Sequence, residues 1–421
     1  MNERRETYDW SKHDGPTSPV RAPAFPVEVD DETLRDGLQG TQLETHPSLE
    51  QKIQYLTAVA CFVDHADIGF PGSERNHQRE IIELIRYTEA KRLGITLSTA
   101  ARGSVEADIK PIIDISHSLD GYPLEADIFL DASQDRAEVE GWNRDEKICQ
   151  LVSNIKLLKQ HRLPVMFVAE RATSTSPDEL LEVFKIAADL GVERVCIADT
   201  QGRAESRAIS NLVRWSIAEL GASYPELKFD GHFHNDRGLG VSNCLVAANE
   251  GVNRVHATTF CIGERAGNVD LTTLVVNLEQ DGHREADLSG LVRFSQLASH
   301  ILNFPIPSNA PIVGETAFAT GSGVHASALK KESGINSATG IYFPFPPRKV
   351  GAEPRVRIGP FSGESNVVMV LNELGIECDP KVVEAVLREA KQQRGLLPND
   401  YVERIAERIL NGRIRKISLK P

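Results

Sequence analysis

The sequence predicts an α/β fold, a closed (β/α)8 barrel followed by a small, mainly helical C-terminal domain. Between about residues 26 and 305, short β-branched or apolar segments alternate eight times with longer segments of helical spacing. Eight such units in about 250–280 residues match the length of a closed parallel barrel. Alternating units of this kind build a parallel sheet, so an open, doubly wound sheet is the structural alternative.

The predicted strands are short, and amphipathic segments separate them. One of these segments, SPDELLEVFKIAADLG, has Ser176 and Pro177 as a helix start and Gly191 as a helix stop. The predicted strand segments are, in chain order, FPVEVDDETLRD, HADIGFP, GITLSTAAR, EADIFLDAS, LPVMFVAERA, VERVCIADT, LKFDGHFHND and VNRVHATTFCIG. In a closed barrel their carboxyl ends form one face, and that face carries the active site in enzymes of this architecture.

The regions on either side of 26–305 differ in composition. Residues 1–25 are polar, with proline, glycine and charge, so we expect a flexible arm without a secretory signal. Residues 306–421 begin with a proline-rich stretch and continue with amphipathic segments, which predicts a linker and helical subdomains. No apolar run reaches the roughly 20 residues that a membrane helix needs.

Charge and cysteine content limit the classes of binding partner and the cellular compartment that we expect. The formal net charge is −13, which argues against nucleic acid or an anionic membrane as the main partner. The six cysteines contain no C-x-x-C pair, so we expect free thiols in a reducing compartment and a cytoplasmic protein.

Two histidines stand at the end of the seventh predicted strand, in HFHND. Side chains alternate faces along a strand, so His232 and His234 point the same way. Two neutral imidazoles that converge at a barrel mouth suit a divalent metal ion. The alternative is a pair of rim histidines that hydrogen-bond to their neighbours.

Oxygen ligands for such an ion are available at two other strand ends. The first strand is expected to carry Asp31, Thr33 and Arg35 on one face and Asp36 at its tip. After the eighth strand, glycines in CIGERAGN permit a tight turn that ends in Asn268. A salt-bridged strand end and a plain tight loop are the respective alternatives.

Three of these motifs together resemble the signature of a known family: ETLRDGLQ, HFHNDRGLG and CIGERAGN. The chain is similar to the 2-isopropylmalate, homocitrate and citramalate synthases, which are metal-dependent TIM-barrel Claisen synthases of the HMG-CoA lyase-like superfamily. The resemblance runs from about residue 30 to 370 and includes GFPGS, DTQG and VGETAFATGSGVH. It implies condensation of acetyl-CoA, or a close acyl-CoA, with a 2-oxo acid, followed by thioester hydrolysis.

The resemblance also implies roles for individual residues. One divalent ion, Mg²⁺, Mn²⁺ or Zn²⁺, would be held by Asp36, His232 and His234, with Asn268 as a weaker ligand. Arg35 would stabilise the growing negative charge, and Glu170 would position substrate and relay protons. His325 and Tyr342, from the C-terminal region, would complete the site of a partner subunit, so we expect a homodimer or higher homo-oligomer. Loop capping for His325 and packing for Tyr342 are the alternatives.

Five further residues are predicted to bind substrate: Gln39, Arg102, Ser133, Arg136 and Thr200. Arg136 stands where the family has histidine, and it would suit a second anionic group on the 2-oxo acid. A solvated surface arginine is the alternative.

Several other positions also depart from the family pattern, namely Leu38, Asp67, Arg171, Ser174 and Arg237. These changes are expected to crowd the pocket that reads the side chain of the 2-oxo acid, so we expect the same reaction with a substrate other than 3-methyl-2-oxobutanoate.

Two rival functions remain on the same barrel. One is an HMG-CoA-lyase-type or aldolase-type carbon–carbon lyase, although Cys261 precedes IGERAGN in the synthase form. The other is a catalytically inactive barrel that serves as a binding subunit.

The sequence stops at Pro421, so no leucine-regulatory domain is expected.

Overall fold

The computed structural model describes residues 26–73, 75–332 and 342–410. The predicted arm over 1–25 lies outside the described residues. The chain divides into two compact units, one running to Asp287 and including Phe294–Pro305, the other formed by Leu288–Arg293 and the chain from Ile306 onward.

The first unit contains a closed barrel of eight parallel strands in sequential order. The strands are β1 (Glu28–Asp31), β2 (His65–Asp67), β3 (Thr96–Arg102), β4 (Glu125–Leu130), β5 (Val165–Ala169), β6 (Arg194–Asp199), β7 (Lys228–Phe233) and β8 (Arg254–Ala257). Closure comes from the pairing of β1 with β8, in which Asp30 lies opposite His256. The predicted barrel is confirmed, and the open sheet is excluded.

Helices connect successive strands, as a right-handed parallel barrel requires. The helix predicted from SPDELLEVF begins at Pro177 and ends at Asp189, and Gly191 follows in the left-handed region with φ 76°. Up to residue 305 the helices are α1 (Asp36–Gln39), α2 (Leu49–Val59), α3 (Arg75–Lys91), α4 (Glu106–Ser118), α5 (Gln134–Glu140), α6 (Arg144–Gln160), α7 (Pro177–Asp189), α8 (Ser206–Leu220), α9 (Gly240–Glu250), α10 (Leu271–Gln280) and α11 (Leu291–Leu302), with 3₁₀ turns at Ala172–Ser174 and Thr259–Cys261.

Strand β1 is shorter than expected, which corrects the predicted placement of Asp36 at a strand tip. The strand ends at Asp31, whose Oδ1 accepts hydrogen bonds from the Thr33 amide at 3.3 Å and hydroxyl at 2.5 Å. This side-chain turn competes with the sheet ladder for the backbone. Asp36 therefore begins α1, with Arg35 as the residue before it.

The barrel interior near the amino ends of the strands is filled by ion pairs. Arg254 is fully buried, and it donates from Nε to Asp230 at 2.6 Å and from Nη2 to Glu125 at 2.6 Å. Arg194 donates to the other Asp230 oxygen at 2.8 Å. Burial acts to raise the pKa of Asp230, but Arg194 and Arg254 hold it well below its ordinary value. The lower barrel is thus stabilised by charge pairs where branched apolar layers are usual.

The second unit is mainly helical. It contains two short parallel strands, β9 (Ala319–Thr320) and β10 (Arg355–Val356). Its helices are α12 (Gly323–Glu332), α13 (Glu364–Glu373), α14 (Pro380–Gln392) and α15 (Asn399–Ile409), with a 3₁₀ turn at Pro347–Val350. An apolar core that includes Val367, Val370, Val386, Val402 and Ile405 holds these elements together. Among the described residues, no helix combines the length and apolarity needed to cross a bilayer.

Replacing Arg254 by methionine should lower the free energy of unfolding by about 3–5 kcal/mol, because it leaves Asp230 and Glu125 buried with one cation fewer. Urea unfolding measures the change. Arg86→Met is the matched control, since Arg86 pairs with Glu83 on the surface with both side chains more than half exposed. The control should shift stability by at most about 0.5 kcal/mol. Equal shifts in the two variants would contradict a stabilising role for the interior ion pairs.

Candidate active site

A cavity of about 210 Å³ opens at the carboxyl ends of the strands. This is the face that carries the site in barrel enzymes. The cavity is lined by Glu32, Arg35, Asp36, Gln39, Ala100, Asp127, Phe129, Met166, Val168, Glu170, Ala198, Thr200, His232, His234, His256, Glu264 and Arg265. Its wall combines several titratable side chains with an apolar patch from β3 to β6.

Three potential metal-ligand atoms converge in this cavity, one from the beginning of the barrel sequence and two from near its end. The Nε2 atoms of His232 and His234 lie 3.3 Å apart. Asp36 Oδ2 lies 3.6 Å from His232 Nε2 and 3.9 Å from His234 Nε2. Ligands of one ion at bond lengths of about 2.0–2.2 Å stand roughly 3–4 Å from one another, so the three atoms are spaced for a single ion.

The protonation states of these donors also suit a cation. Burial lowers the pKa of His232 to about 3 and that of His234 to about 4. Burial acts to raise the pKa of Asp36, but Arg35 and the two histidines lower it to about 2. At neutral pH the site therefore presents two imidazole lone pairs and one carboxylate, a mixed nitrogen and oxygen set that binds a borderline or hard divalent ion.

Asn268 completes the group that sequence reasoning assigned to the metal. Its Nδ2 donates to Asp36 Oδ2 at 2.8 Å and to the Ile262 carbonyl at 3.2 Å. Its Oδ1 is buried and has no hydrogen-bond partner. A buried, unsatisfied carbonyl oxygen beside three donors is the arrangement expected of a fourth, weaker ligand.

Two glycines shape the loop that carries Asn268. Gly263 has φ 140°, and a Cβ there would lie 2.2 Å from Asn268 Nδ2. Gly267 has φ 87°, and a Cβ there would lie 1.5 Å from the Cys261 carbonyl oxygen. The GERAGN motif thus needs glycine twice, once to admit the Asn268 side chain and once to close the turn.

Arg35 is held beside Asp36 by carboxylates. Its Nε donates to Asp67 Oδ2 at 2.7 Å, its Nη1 lies 3.2 Å from Asp36 Oδ1, and its Nη2 contacts Glu32. Asp67 does not line the cavity, so it does not crowd the substrate pocket as the sequence suggested. Its shorter side chain instead fixes the guanidinium of Arg35.

A buried network behind His232 escaped sequence reasoning. Glu32 Oε1 lies 3.2 Å from His232 Nδ1 and 2.7 Å from His256 Nδ1. His256 Nε2 lies 3.4 Å from Asp230 Oδ2, which links the network to the interior ion pairs. A carboxylate on Nδ1 sets the tautomer that leaves Nε2 free for a metal. The sequence signal that could have indicated this network was the presence of charged or polar residues within the β1 and β8 segments.

Three other predicted residues also line the cavity: Gln39, Glu170 and Thr200. Burial, followed by the nearby Asp131, raises the pKa of Glu170. Thr200 Oγ1 accepts from the Arg171 amide at 2.9 Å, and its carbonyl accepts from Arg265 at 2.6 Å.

Three predicted substrate ligands lie outside this cavity. Arg102 is bound by both oxygens of Asp108, at 2.6 and 2.9 Å, and lines a separate surface pocket with Trp142. Ser133 is buried and donates to Asp131 at 2.5 Å. Arg136 pairs with Glu140 at 2.9 Å and lies over the Trp142 ring.

The remaining family departures are also absent from the cavity wall: Leu38, Arg171, Ser174 and Arg237. Leu38 is part of the apolar core, and Arg171 pairs with Asp131 and Asp135 at 3.0 and 2.8 Å. The substitutions therefore do not crowd this pocket, because their side chains are engaged by neighbours outside it.

His325 and Tyr342 both belong to the second unit. Their side chains are exposed, and their ring centroids lie 4.2 Å apart. The structure therefore brings the two aromatic rings together within that unit.

Residues 27–298 match the HMGL-like family model. The chain belongs to the HMGL-like family. A 2-isopropylmalate synthase of Methanocaldococcus jannaschii is 32% identical over 83% of this chain and 64% of its own length. A homocitrate synthase of Methanopyrus kandleri is 28% identical over 92% of this chain and 93% of its own. Among solved structures, the HMG-CoA lyase of Brucella melitensis superposes with a TM-score of 0.55 at 19% identity, covering 66% of this chain and all (100%) of that one. That likeness supports the barrel fold of this family member.

Gly267→Ala should lower the free energy of unfolding by about 4 kcal/mol, because the methyl group adds a backbone collision to left-handed strain. Gly282→Ala is the control, since Gly282 has φ 78° with open space around it, and strain alone should cost about 1–2 kcal/mol. Urea unfolding of both variants gives the difference. A Gly267 variant no less stable than the control would show that the loop relaxes without cost.

Glu32→Gln should weaken Zn²⁺ binding about 10-fold or more, because the uncharged amide orients His232 less firmly. Competition with a chromophoric chelator measures the dissociation constant. Glu264→Gln removes another carboxylate from the same cavity wall and should leave the affinity within about 3-fold. Equal weakening in both variants would point to loss of charge in the cavity, without a specific effect of Glu32 on His232.

Proposed function

We propose that the chain is an acyl-CoA:2-oxo acid C-acyltransferase that condenses acetyl-CoA, or a close acyl-CoA, with a 2-oxo acid and then hydrolyses the thioester. The observation that carries this proposal is the convergence of Asp36, His232 and His234 beside the fixed guanidinium of Arg35. Relatives named 2-isopropylmalate synthase and homocitrate synthase, aligned over most of the chain, support the same reaction.

Asp36, His232 and His234 would hold one divalent ion, Mg²⁺, Mn²⁺ or Zn²⁺, with the Asn268 carbonyl as a weaker ligand. Such an ion supplies Lewis-acid polarisation of the substrate ketone and neutralises charge that develops on its oxygen. Glu32 keeps the Nε2 lone pair of His232 directed into the cavity, since it engages the opposite ring nitrogen.

Arg35 provides a second fixed positive charge at the same place. Three carboxylates hold its guanidinium, so little reorganisation is needed when negative charge appears on the substrate. The planar group also matches the geometry of the two oxygens of a carboxylate. We assign Arg35 to stabilisation of that charge and Asp67 to positioning of Arg35.

Glu170 is proposed to position substrate and to carry a proton. It lines the cavity, and burial raises its pKa above that of an ordinary carboxyl group, which suits a group that takes up and returns a proton. Thr200 and Gln39 offer hydroxyl and amide groups to the carboxylate of the 2-oxo acid. Phe129, Met166 and Val168 suit an aliphatic substrate side chain.

His325 and Tyr342 are proposed to act as a pair in the active site of a partner subunit, within a homodimer or larger assembly. Their exposure and mutual contact within the second unit support a role at such a surface. All six cysteines are free thiols, which supports a reducing, cytoplasmic setting.

The carbon–carbon lyase remains the rival on this barrel, but the observations favour it less. A lyase that uses a cysteine at the barrel mouth needs a reactive thiol. Burial raises the pKa of Cys261 to about 12, and Cys261 does not line the cavity. It therefore stays a protonated thiol, packed against Asn235.

Purified protein with acetyl-CoA and a panel of 2-oxo acids should release free CoA in the presence of a divalent ion, and a chelator should abolish the release. A thiol reagent measures CoA. A reaction without 2-oxo acid corrects for the exposed thiols of Cys61 and Cys149. Formation of acetyl-CoA and acetoacetate from 3-hydroxy-3-methylglutaryl-CoA, without any 2-oxo acid and without free CoA, would support the lyase.

Arg35→Lys and Arg102→Lys form a matched pair in this assay. We expect Arg35→Lys to lower kcat about 100-fold, because the bidentate cation is lost at the reacting atoms. Arg102→Lys should change kcat by at most about 3-fold, since Arg102 binds Asp108 outside the cavity. A reversed order of these effects would contradict the proposed site.

A further inference from the structure

A second group of convergent ligand atoms lies deeper in the barrel, below the candidate active site. Asp30, His65 and Asp127 are all buried, and one ligand atom from each lies within 4.8 Å of the others. Asp127 lines the active-site cavity, whereas His65 lines a second cavity of about 800 Å³ near the amino ends of the strands. The group therefore lies between two cavities along the barrel interior.

The polar atoms of this group lack hydrogen-bond partners. Both carboxylate oxygens of Asp30, both of Asp127 and Nε2 of His65 are buried and unsatisfied. A buried polar atom without a partner costs about 1–3 kcal/mol, and more when it is charged. Five such atoms directed to one region are hard to retain unless something binds them.

The tautomer of His65 makes it a ligand. His65 Nδ1 contacts the Thr96 hydroxyl, which also lies 3.4 Å from the Asp64 carbonyl; when the hydroxyl donates to that carbonyl, its oxygen accepts from Nδ1. In that tautomer Nδ1 carries the ring proton, and the lone pair lies on Nε2. That lone pair faces oxygens of Glu125 at 3.5 Å and Asp30 at 3.9 Å. A lone pair among carboxylates is repulsive without a cation or a proton between them.

The neighbouring arginine does not satisfy these atoms. Arg254 directs its short hydrogen bonds to Asp230 and Glu125, and its Nε lies 3.8 Å from Asp30. Burial raises the pKa of both Asp30 and Asp127 well above the ordinary value. Burial thus favours the protonated form of both carboxyl groups, and a bound cation would favour the ionised form instead.

We propose that Asp30, His65 and Asp127 form a second, interior site for one divalent cation. Two carboxylates and one imidazole suit a borderline transition ion such as Mn²⁺, Fe²⁺, Co²⁺ or Zn²⁺ better than Ca²⁺, which prefers oxygen ligands alone. The ion can enter through the active-site cavity, whose wall includes Asp127. Its charge would offset the buried carboxylates and fix the Asp127 side chain in that wall.

The test is a count of bound ions that needs no activity. All variants carry His117→Gln, because Nε2 of the exposed His117 lies 3.0 Å from Nδ1 of the exposed His161 and the pair could chelate Co²⁺ at the surface. Chelator-stripped protein is loaded with Co²⁺, passed through a desalting column and analysed for metal. We expect two Co²⁺ per chain in this background, one in His65→Gln and one in His234→Gln. The double variant should bind none.

Asp30→Asn serves as a second variant at the interior site, in case His65→Gln fails to fold, and circular dichroism checks each protein. One Co²⁺ per chain in the background protein, lost in His234→Gln, would overturn the interior site while leaving the proposed function intact. Two Co²⁺ retained in both interior variants would also overturn it. A CoA-release assay that fails although two ions are bound would sink the proposed function alone.

Discussion

The pairing of β1 with β8 is the constraint on which the candidate site depends. Closure sets Asp30 opposite His256 and makes neighbours of chain segments about 200 residues apart, as the Glu32–His232 contact shows. Asp36 reaches His232 and Asn268 only because the first strand lies beside the last. An open sheet with the same elements would leave the carboxylate and the histidines on strands without a common edge. Closure of the barrel is therefore required to assemble the site.

Burial then decides what these side chains can do. Two histidines with lowered pKa values and a carboxylate kept ionised by Arg35 form a site that is ready for a cation without prior loss of protons. Arg35 is in turn fixed by Asp67. The same burial leaves Asp30 and Asp127 with raised pKa values, because no arginine donates to them. The pKa values of similar residues are thus shifted in opposite directions within one barrel, according to the cations that face them.

The sequence predicts the barrel well, since eight alternations of period and the strand-end motifs follow from local chemistry. Alternation along a strand, applied to His232 and His234, correctly predicts that both imidazoles converge on one point, although β7 ends at Phe233 and His234 is the first residue after it. The residues that bind substrate were harder to predict from the sequence. Arg102 ends β3, yet its guanidinium turns to Asp108 in the next helix, a choice that depends on a partner six residues away. Glu32 opens the ETLRDGLQ motif without a role that the motif predicts, and His256 lies outside the three motifs; their closeness depends on closure alone.

The barrel interior connects the candidate active site to the ion pairs near the amino ends of the strands. From His232 the contacts run through Glu32 and His256 to Asp230, and from there to Arg254 and Glu125. Asp127 belongs both to the active-site wall and to the unsatisfied group beneath it. A change of charge in the lower barrel therefore acts on the site through fixed hydrogen bonds in a low-dielectric medium, where screening is weak. Apolar layers would isolate the site from the barrel below it; the charged interior makes the two a single electrostatic unit.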